Sequence, residues 1–349
     1  MRIDESHLYR EITEQPIVVN RLIAESQQNI QVLSRVIINR EIKHIYIAAR
    51  GSSDNAGRYA QYLLGMQNQM NVTLGTPSLF SIYQKPPNLR DSLVLGISQS
   101  GKSPDLVEVL SEATRQGALT ASITNDPESP MANYSQYIIP LHAGAELSLA
   151  ATKTYTAELT AIAMLSNFLS NKKSIDPALS RLSGTIQSIL DKQNEIKDLI
   201  TRFQQMEHCV VIGRGINYST VFEFSLKLKE LTYTIAEPYS SADFLHGPIA
   251  MIQKGFPVFL IAPNGKTVEE LQEFIFQITK RGGVVIGISN VDKILDNSSC
   301  KIDFPKNVPE WLSPIVSIVP AQIFAMYLSA ARGIDIDHPR GLEKVTETL

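Results

Sequence analysis

The chain has 349 residues, 44% hydrophobic and 19% charged, enough for about two globular domains with sizeable cores. Lys plus Arg number 32 against 35 Asp plus Glu, a formal net charge of -3, so neither a nucleic-acid nor an anionic-membrane surface is expected. The two cysteines, Cys209 and Cys300, form neither a disulfide framework nor a zinc spacing and suit a reducing cytoplasm.

The N-terminus reads Met1-Arg2-Ile3-Asp4-Glu5, with no apolar run behind its basic residue, so no signal peptide is expected. Short apolar runs at residues 44–49, 93–98, 119–124 and 137–141, with helical patterns between them, predict a parallel sheet covered by helices. A loop at 171–177 then opens a helical stripe of Leu182, Ile186, Ile189, Leu190, Ile196, Leu199 and Ile200, and the domain boundary is placed there. Runs at 208–213, 257–262 and 284–289 predict strands of a second α/β half. Residues 312–331 are uncharged, but Ser313, Pro314, Ser317, Pro320 and Gln322 interrupt them, which predicts a buried core helix rather than a membrane span.

The halves hold register. Gly51 recurs as Gly215 and Gly101-Lys102 as Gly265-Lys266, both 164 residues on, and Asn125 recurs as Asn290, 165 on. Such landmarks argue for duplication of one α/β unit. The expected organisation is residues 1–175 as N-terminal helices plus a first domain, 176–335 as a linking helix plus a second domain, and 336–349 as a C-terminal tail.

The segment after the second predicted strand collects Ser98, Gln99, Ser100, Gly101 and Ser103, with Ser103-Pro104 in the pattern of an N-cap followed by Pro at the first helical position. Open α/β sheets bind ligands at the carboxyl ends of their strands, and helix starts attract anions. Hydroxyls and a freed backbone there suit a phosphate; a plain polar turn is the alternative. Ser52 and Ser53, after the first strand, can face the same ligand. Neither turn is a dinucleotide fingerprint or a P-loop. The repeat of the loop, residues 262–267, lacks the paired serines, so one phosphate site per chain is expected, and Thr267 with Glu270 has capping-box spacing.

Acid–base candidates lie further on. Lys227 and Glu230 share a helical face, as a surface ion pair also would. His246 sits in the stiff turn His246-Gly247-Pro248, and Lys344 in the C-terminal tail, where a solvated lysine is the ordinary case. Glu, His and Lys can together move a proton between C1 and C2 of a sugar, open its ring and engage its carbonyl without a metal or cofactor, and no residue cluster has metal-ligand spacing.

In order along the chain, Gly51-Ser52-Ser53, the run Ser98 to Ser103, the run Glu146 to Lys153, Lys227-Leu228-Lys229-Glu230, His246-Gly247-Pro248 and the run Asp337 to Lys344 resemble the sugar isomerase (SIS) domain family. Glu11 to Pro16 resembles the start of such a region, and the resemblance covers nearly the whole chain. It is similar above all to the isomerase region of glucosamine-6-phosphate synthases. The resemblance implies two tandem SIS domains, each a five-stranded parallel sheet flanked by helices in a flavodoxin or Rossmann-like α/β fold. It also implies a homodimer with a shared active site.

By the same resemblance Ser53, Ser98, Gln99, Ser100 and Ser103 hold phosphate and sugar, while Ser52, Leu149 and Ala151 line the site. Glu230 shuttles the proton with Lys227 beside it, His246 assists ring opening from the partner subunit, and Lys344 sits at the C2 carbonyl. This sequence departs from the synthase pattern with Ser at 52 and 103, Lys102 in place of an acid and Ala151 in place of a serine. No cysteine follows Met1, so a glutamine-hydrolysing step is not expected of this chain alone. The expected function is therefore a cytoplasmic deaminase/isomerase converting glucosamine 6-phosphate, or a similar aminohexose phosphate, to fructose 6-phosphate and ammonia. The alternatives are a synthase-like isomerase domain without glutaminase, a plain isomerase, a fructosamine-6-phosphate deglycase, and a non-catalytic sugar-phosphate sensor.

Overall fold

The computed structural model describes residues 2–341. The chain forms two compact units, each built on one parallel sheet. One unit comprises residues 17–146 and 153–180; the other comprises 2–16, 147–152 and 181–341.

The first unit strings together β1 (His44–Ala49), α3 (Gly51–Asn68), β2 (Asn71–Leu74), α4 (Ser78–Ser81), β3 (Ser92–Ser98), α5 (Pro104–Gln116), β4 (Leu119–Thr124) and β5 (Tyr137–Pro140). The long helices α1 (His7–Glu25) and α2 (Gln27–Asn39) precede it, with α1 crossing into the other unit at Pro16, and α6 (Lys153–Leu169) and α7 (Pro177–Ser180) complete it. Strand order is β2-β1-β3-β4-β5, all parallel. The order reverses between β1 and β3, and that reversal opens the ligand crevice of doubly wound sheets. Ala49 pairs with Ile97, so the turns after both strands leave the sheet at one level. Strand β3 is buried at every residue, and Val94 packs with Tyr46, Ala48, Leu106, Val109, Leu110 and Met131 on one face.

The second unit runs α8 (Leu182–Leu190), α9 (Gln193–Leu199), β6 (His208–Gly213), α10 (Tyr218–Thr232), β7 (Ile235–Ser240), α11 (Ser241–Leu245), β8 (Pro257–Ile261), α12 (Val268–Lys280), β9 (Val284–Ser289), α13 (Asp292–Asp296), β10 (Cys300–Asp303) and α14 (Ser313–Ala331). Its strand order, β10-β9-β8-β6-β7, is the first sheet's order written backwards, so the duplication read from the glycine register is a duplication of topology. Residues 2–16 pack in this unit rather than with the first sheet, because buried Asp337 accepts from the amides of His7 (2.9 Å) and Leu8 (3.0 Å) at the start of α1. Gln15 adds a bond to Gln322 of α14 at 2.9 Å.

Predicted and observed strands agree within one residue for seven of the ten. The three that the apolar pattern misses, β2, β7 and β10, all lie at sheet edges, where one side meets solvent and no continuous apolar run is needed. The uncharged segment is α14, and the membrane-length window over Glu310–Ala331 is 89% buried inside the unit. Cys209 and Cys300 are buried free thiols.

Phe324 of α14 meets Phe203, Phe224 and Phe259 with ring centroids 5.0 to 6.2 Å apart and is wholly buried. Phe324→Ala is therefore expected to cost about 3–5 kcal/mol of unfolding free energy in a denaturant titration; a loss below about 1 kcal/mol would show that this cluster does not anchor α14.

Candidate active site

In the first unit, β3 ends at Ser98 and five residues lead into α5. Gly101 takes φ +61°, and a Cβ there would lie 2.1 Å from the Ser129 hydroxyl, so only glycine fits the turn. The Gly101 amide donates to the Ser98 hydroxyl (3.0 Å) and the Lys102 amide to the Ser100 hydroxyl (3.3 Å). Asn125 N donates to the Gln99 carbonyl (3.1 Å) and Met131 N to the Gly101 carbonyl (3.0 Å), which fixes the loop from the neighbouring β4–β5 segment. In these contacts Ser98 and Ser100 act as acceptors, so their hydroxyl protons stay available to an anion. Ser103 occupies the N-cap position with Pro104 behind it, yet its hydroxyl does not cap the helix. Gln99, Ser100 and Ser103 are half-buried at the rim.

Ser53 differs. It is buried on the first turn of α3 and donates to Glu158 Oε1 of α6 at 2.8 Å, so its capacity toward a ligand is that of an acceptor. Ser52 beside it is half-buried. Arg50, just before α3, binds the buried carboxylate of Asp105 on the first turn of α5 through Nε (2.8 Å) and Nη2 (2.7 Å).

Leu149 and Ala151, both half-buried, belong to the segment 147–152 of the second unit. Glu11 of α1 holds that segment by accepting from the amides of Leu147 and Ser148. No local sequence signal marked Glu11 for this, since its partners lie 136 and 137 residues away.

The acid–base candidates lie in the second unit on α10. Lys227 is no surface residue: 1% of its side chain is exposed, and its ammonium meets Glu230 Oε2 at 2.6 Å and the wholly buried Glu223 at 3.4 Å. Burial pulls the ammonium's pKa down, but Glu230 and Glu223 outweigh it, and the pKa is held well above the ordinary lysine range. Lys227 is thus a fixed cation, unsuited to act as a free amine. Glu230 is the member that meets solvent, with 23% of its side chain exposed. Sequence reading missed Glu223; its signal was an acid four residues before Lys227 inside an apolar run, Val221-Phe222-Glu223-Phe224.

His246 ends α11 with its ring exposed. Lys344 lies outside the described residues. The chain leading toward it is tied at Arg340, whose amide donates to the Tyr233 hydroxyl (2.7 Å) and whose guanidinium lies 4.3 Å from the centre of the Tyr233 ring. Tyr233 caps α10 in the left-handed conformation, one turn beyond Glu230.

The repeat of the serine loop is filled from within the unit. Glu310 takes the anion's place: its Oε1 accepts from the Lys266 amide at 3.2 Å, and a Cβ on Gly265 would strike its carboxylate at 2.4 Å. The expected capping box does not form. Thr267 makes no side-chain cap, its backbone being helical (φ -95°, ψ -2°) rather than extended, and the Glu270 carboxylate pairs instead with the Ser241 hydroxyl and Arg214. Among the described residues, no group of three or more His, Cys, Asp and Glu is placed to hold a metal ion.

Two doubly wound five-stranded sheets in tandem, with a serine-rich helix start at the first reversal of strand order, define a duplicated α/β protein of the sugar isomerase type. The SIS domain matches residues 39–167 and again 202–332, and the chain belongs to that family. The glutamine–fructose-6-phosphate aminotransferase of Photorhabdus laumondii is 31% identical over 354 residues, covering 97% of this chain and 58% of that protein. The chain thus spans a little over half the length of the curated relatives it matches. The C-terminal domain of glucosamine-fructose-6-phosphate aminotransferase from Francisella tularensis superposes with a TM-score of 0.86 at 27% identity, covering 96% of this chain and 98% of that one. A glucosamine-6-phosphate deaminase from Thermotoga maritima shares the fold, with a TM-score of 0.81 at 21% identity over 98% of this chain and all of the other.

Two outcomes test this geometry. Lys227→Met leaves the buried Glu223 and the partly buried Glu230 without this cation and is expected to cost about 3–5 kcal/mol in denaturant unfolding; a loss under about 1 kcal/mol would contradict the buried cluster. Ser100→Ala is expected to raise KM for a hexose 6-phosphate about tenfold with kcat within about threefold, and an unchanged KM would place the phosphate elsewhere.

Proposed function

We propose that this chain interconverts fructose 6-phosphate and glucosamine 6-phosphate by aldose–ketose proton transfer, with free ammonia as nitrogen donor or product. The buried Glu223–Lys227–Glu230 cluster is the observation that carries the reading: a sugar-phosphate sensor has no use for a partly exposed carboxylate held by a buried cation. The balance is redox-neutral. In the aminating direction ammonia adds at the C2 carbonyl and water leaves; a proton then moves from C1 to C2, giving the aldose. Glu230 takes and returns that proton.

Ser98, Ser100 and Ser103 hold the phosphate, Ser53 accepts from a sugar hydroxyl, His246 assists ring opening, and Lys344 engages the C2 carbonyl. The homodimer with a shared active site and the cytoplasmic location are carried from the family resemblance. The synthase-like reading goes first because the aminotransferase relatives are more similar in sequence than the deaminase, which supports the fold alone. Deamination is the same chemistry run backwards.

The test follows glucosamine 6-phosphate made from fructose 6-phosphate and ammonium, and ammonia released from glucosamine 6-phosphate. Glu230→Gln is expected to lower kcat by at least about 100-fold while sugar-phosphate affinity stays within about threefold. Activity retained in that variant removes Glu230 from the chemistry. Tight sugar-phosphate binding with no turnover by the unaltered chain in either direction would favour the sensor.

A further inference from the structure

Arg50 has no part in the chemistry above, yet it makes a tight and oriented contact in the first unit. Two guanidinium nitrogens converge on Asp105 Oδ2, while Asp105 Oδ1 accepts from the Leu106 amide at 2.9 Å. Asp105 is fully buried at the start of α5. A carboxylate suits a helix start in general. Here, however, the same helix start is the one read as receiving a phosphate. An uncompensated buried charge at Asp105 would repel a phosphate dianion through a poorly screened medium. Arg50 removes that charge. It also joins the turn after β1, which bears Ser52 and Ser53, to the helix that follows the serine loop. Its side chain stays 47% exposed, so the guanidinium is shared between Asp105 and the surface.

The repeat offers an internal comparison. Arg214 stands 164 residues after Arg50 and pairs with Glu270 on the first turn of α12. That contact is a looser 3.4 Å, with 38% and 42% of the two side chains exposed. It accompanies the loop that Glu310 already fills. The tight pair with a buried acid occurs in the copy that keeps the serines.

We propose that Arg50 is a positioning residue for the substrate phosphate, cancelling the charge of Asp105 so that a dianion can approach the start of α5. This rests on the phosphate reading of residues 98–103 and adds to it a determinant outside the loop.

Inorganic phosphate is the probe, titrated calorimetrically into the full chain and into Arg50→Met, Asp105→Asn, the double variant and Ser100→Ala. Arg50→Met is expected to weaken phosphate about tenfold or more. Asp105→Asn binds it as well as, or more tightly than, the unaltered chain, and the double variant returns to within about threefold of it. A merely structural bridge would leave Asp105→Asn and the double variant as weak as Arg50→Met, which overturns the proposal, as does unaltered affinity in Arg50→Met. Should Arg50→Met not fold, the other two variants decide: weakened phosphate in both overturns the proposal, and retained affinity in both supports it. Ser100→Ala separates the two readings. If it weakens phosphate while Arg50→Met does not, only the role of Arg50 fails; if it leaves phosphate unaffected, the loop reading fails and takes the proposal with it.

Discussion

A lysine with its charge buried must be paired or give up its proton. Lys227 is paired twice, with the wholly buried Glu223 and with the partly exposed Glu230. Of the three, Glu230 is the member that meets solvent. The helix is held by the same unit that buries α14, where Phe224 of α10 stacks edge-on with Phe259 and Phe324. The ion cluster and the aromatic core share one helix, so α10 cannot shift Glu230 without disturbing the packing of Phe224.

The duplication shows how one scaffold reaches two outcomes. Both sheets reverse strand order at the equivalent place, and both present a glycine-containing loop before a helix. In the first copy that loop offers hydroxyls whose protons are unspent. In the second copy the chain supplies its own carboxylate, Glu310, to the Lys266 amide. A filled loop needs no ligand, so of the two equivalent loops the first is the one left open to an anion.

Much of this was legible in the sequence, and the exceptions share a cause. Central strands such as β3 and β9 are buried on both faces and read as continuous apolar runs, and the glycine register exposed the repeat. Three of the four edge strands, β2, β7 and β10, escaped because half of each faces water, and β7 also carries Pro238. The spacing of Lys227 and Glu230 was visible, but spacing does not distinguish a buried ion cluster from a surface pair; only the apolar neighbours of Glu223 hinted at burial. Contacts that depend on distant segments left no local trace. Asp337 capping α1, Glu310 filling the second loop and Arg50 reaching Asp105 are of this kind. The capping box at Thr267 has the right spacing, but Thr267 takes a helical backbone and Glu270 pairs with the distant Ser241.

In the proposed reaction a carboxylate moves a proton between adjacent sugar carbons. The most direct test of this step is nuclear magnetic resonance of fructose 6-phosphate with ammonium and the protein in deuterated water. Proton transfer through Glu230 predicts glucosamine 6-phosphate carrying solvent deuterium at C2, because a carboxylic acid exchanges its proton with water during the reaction. Aldose product formed with no solvent deuterium at C2 would point to direct hydrogen migration between the carbons and contradict the account.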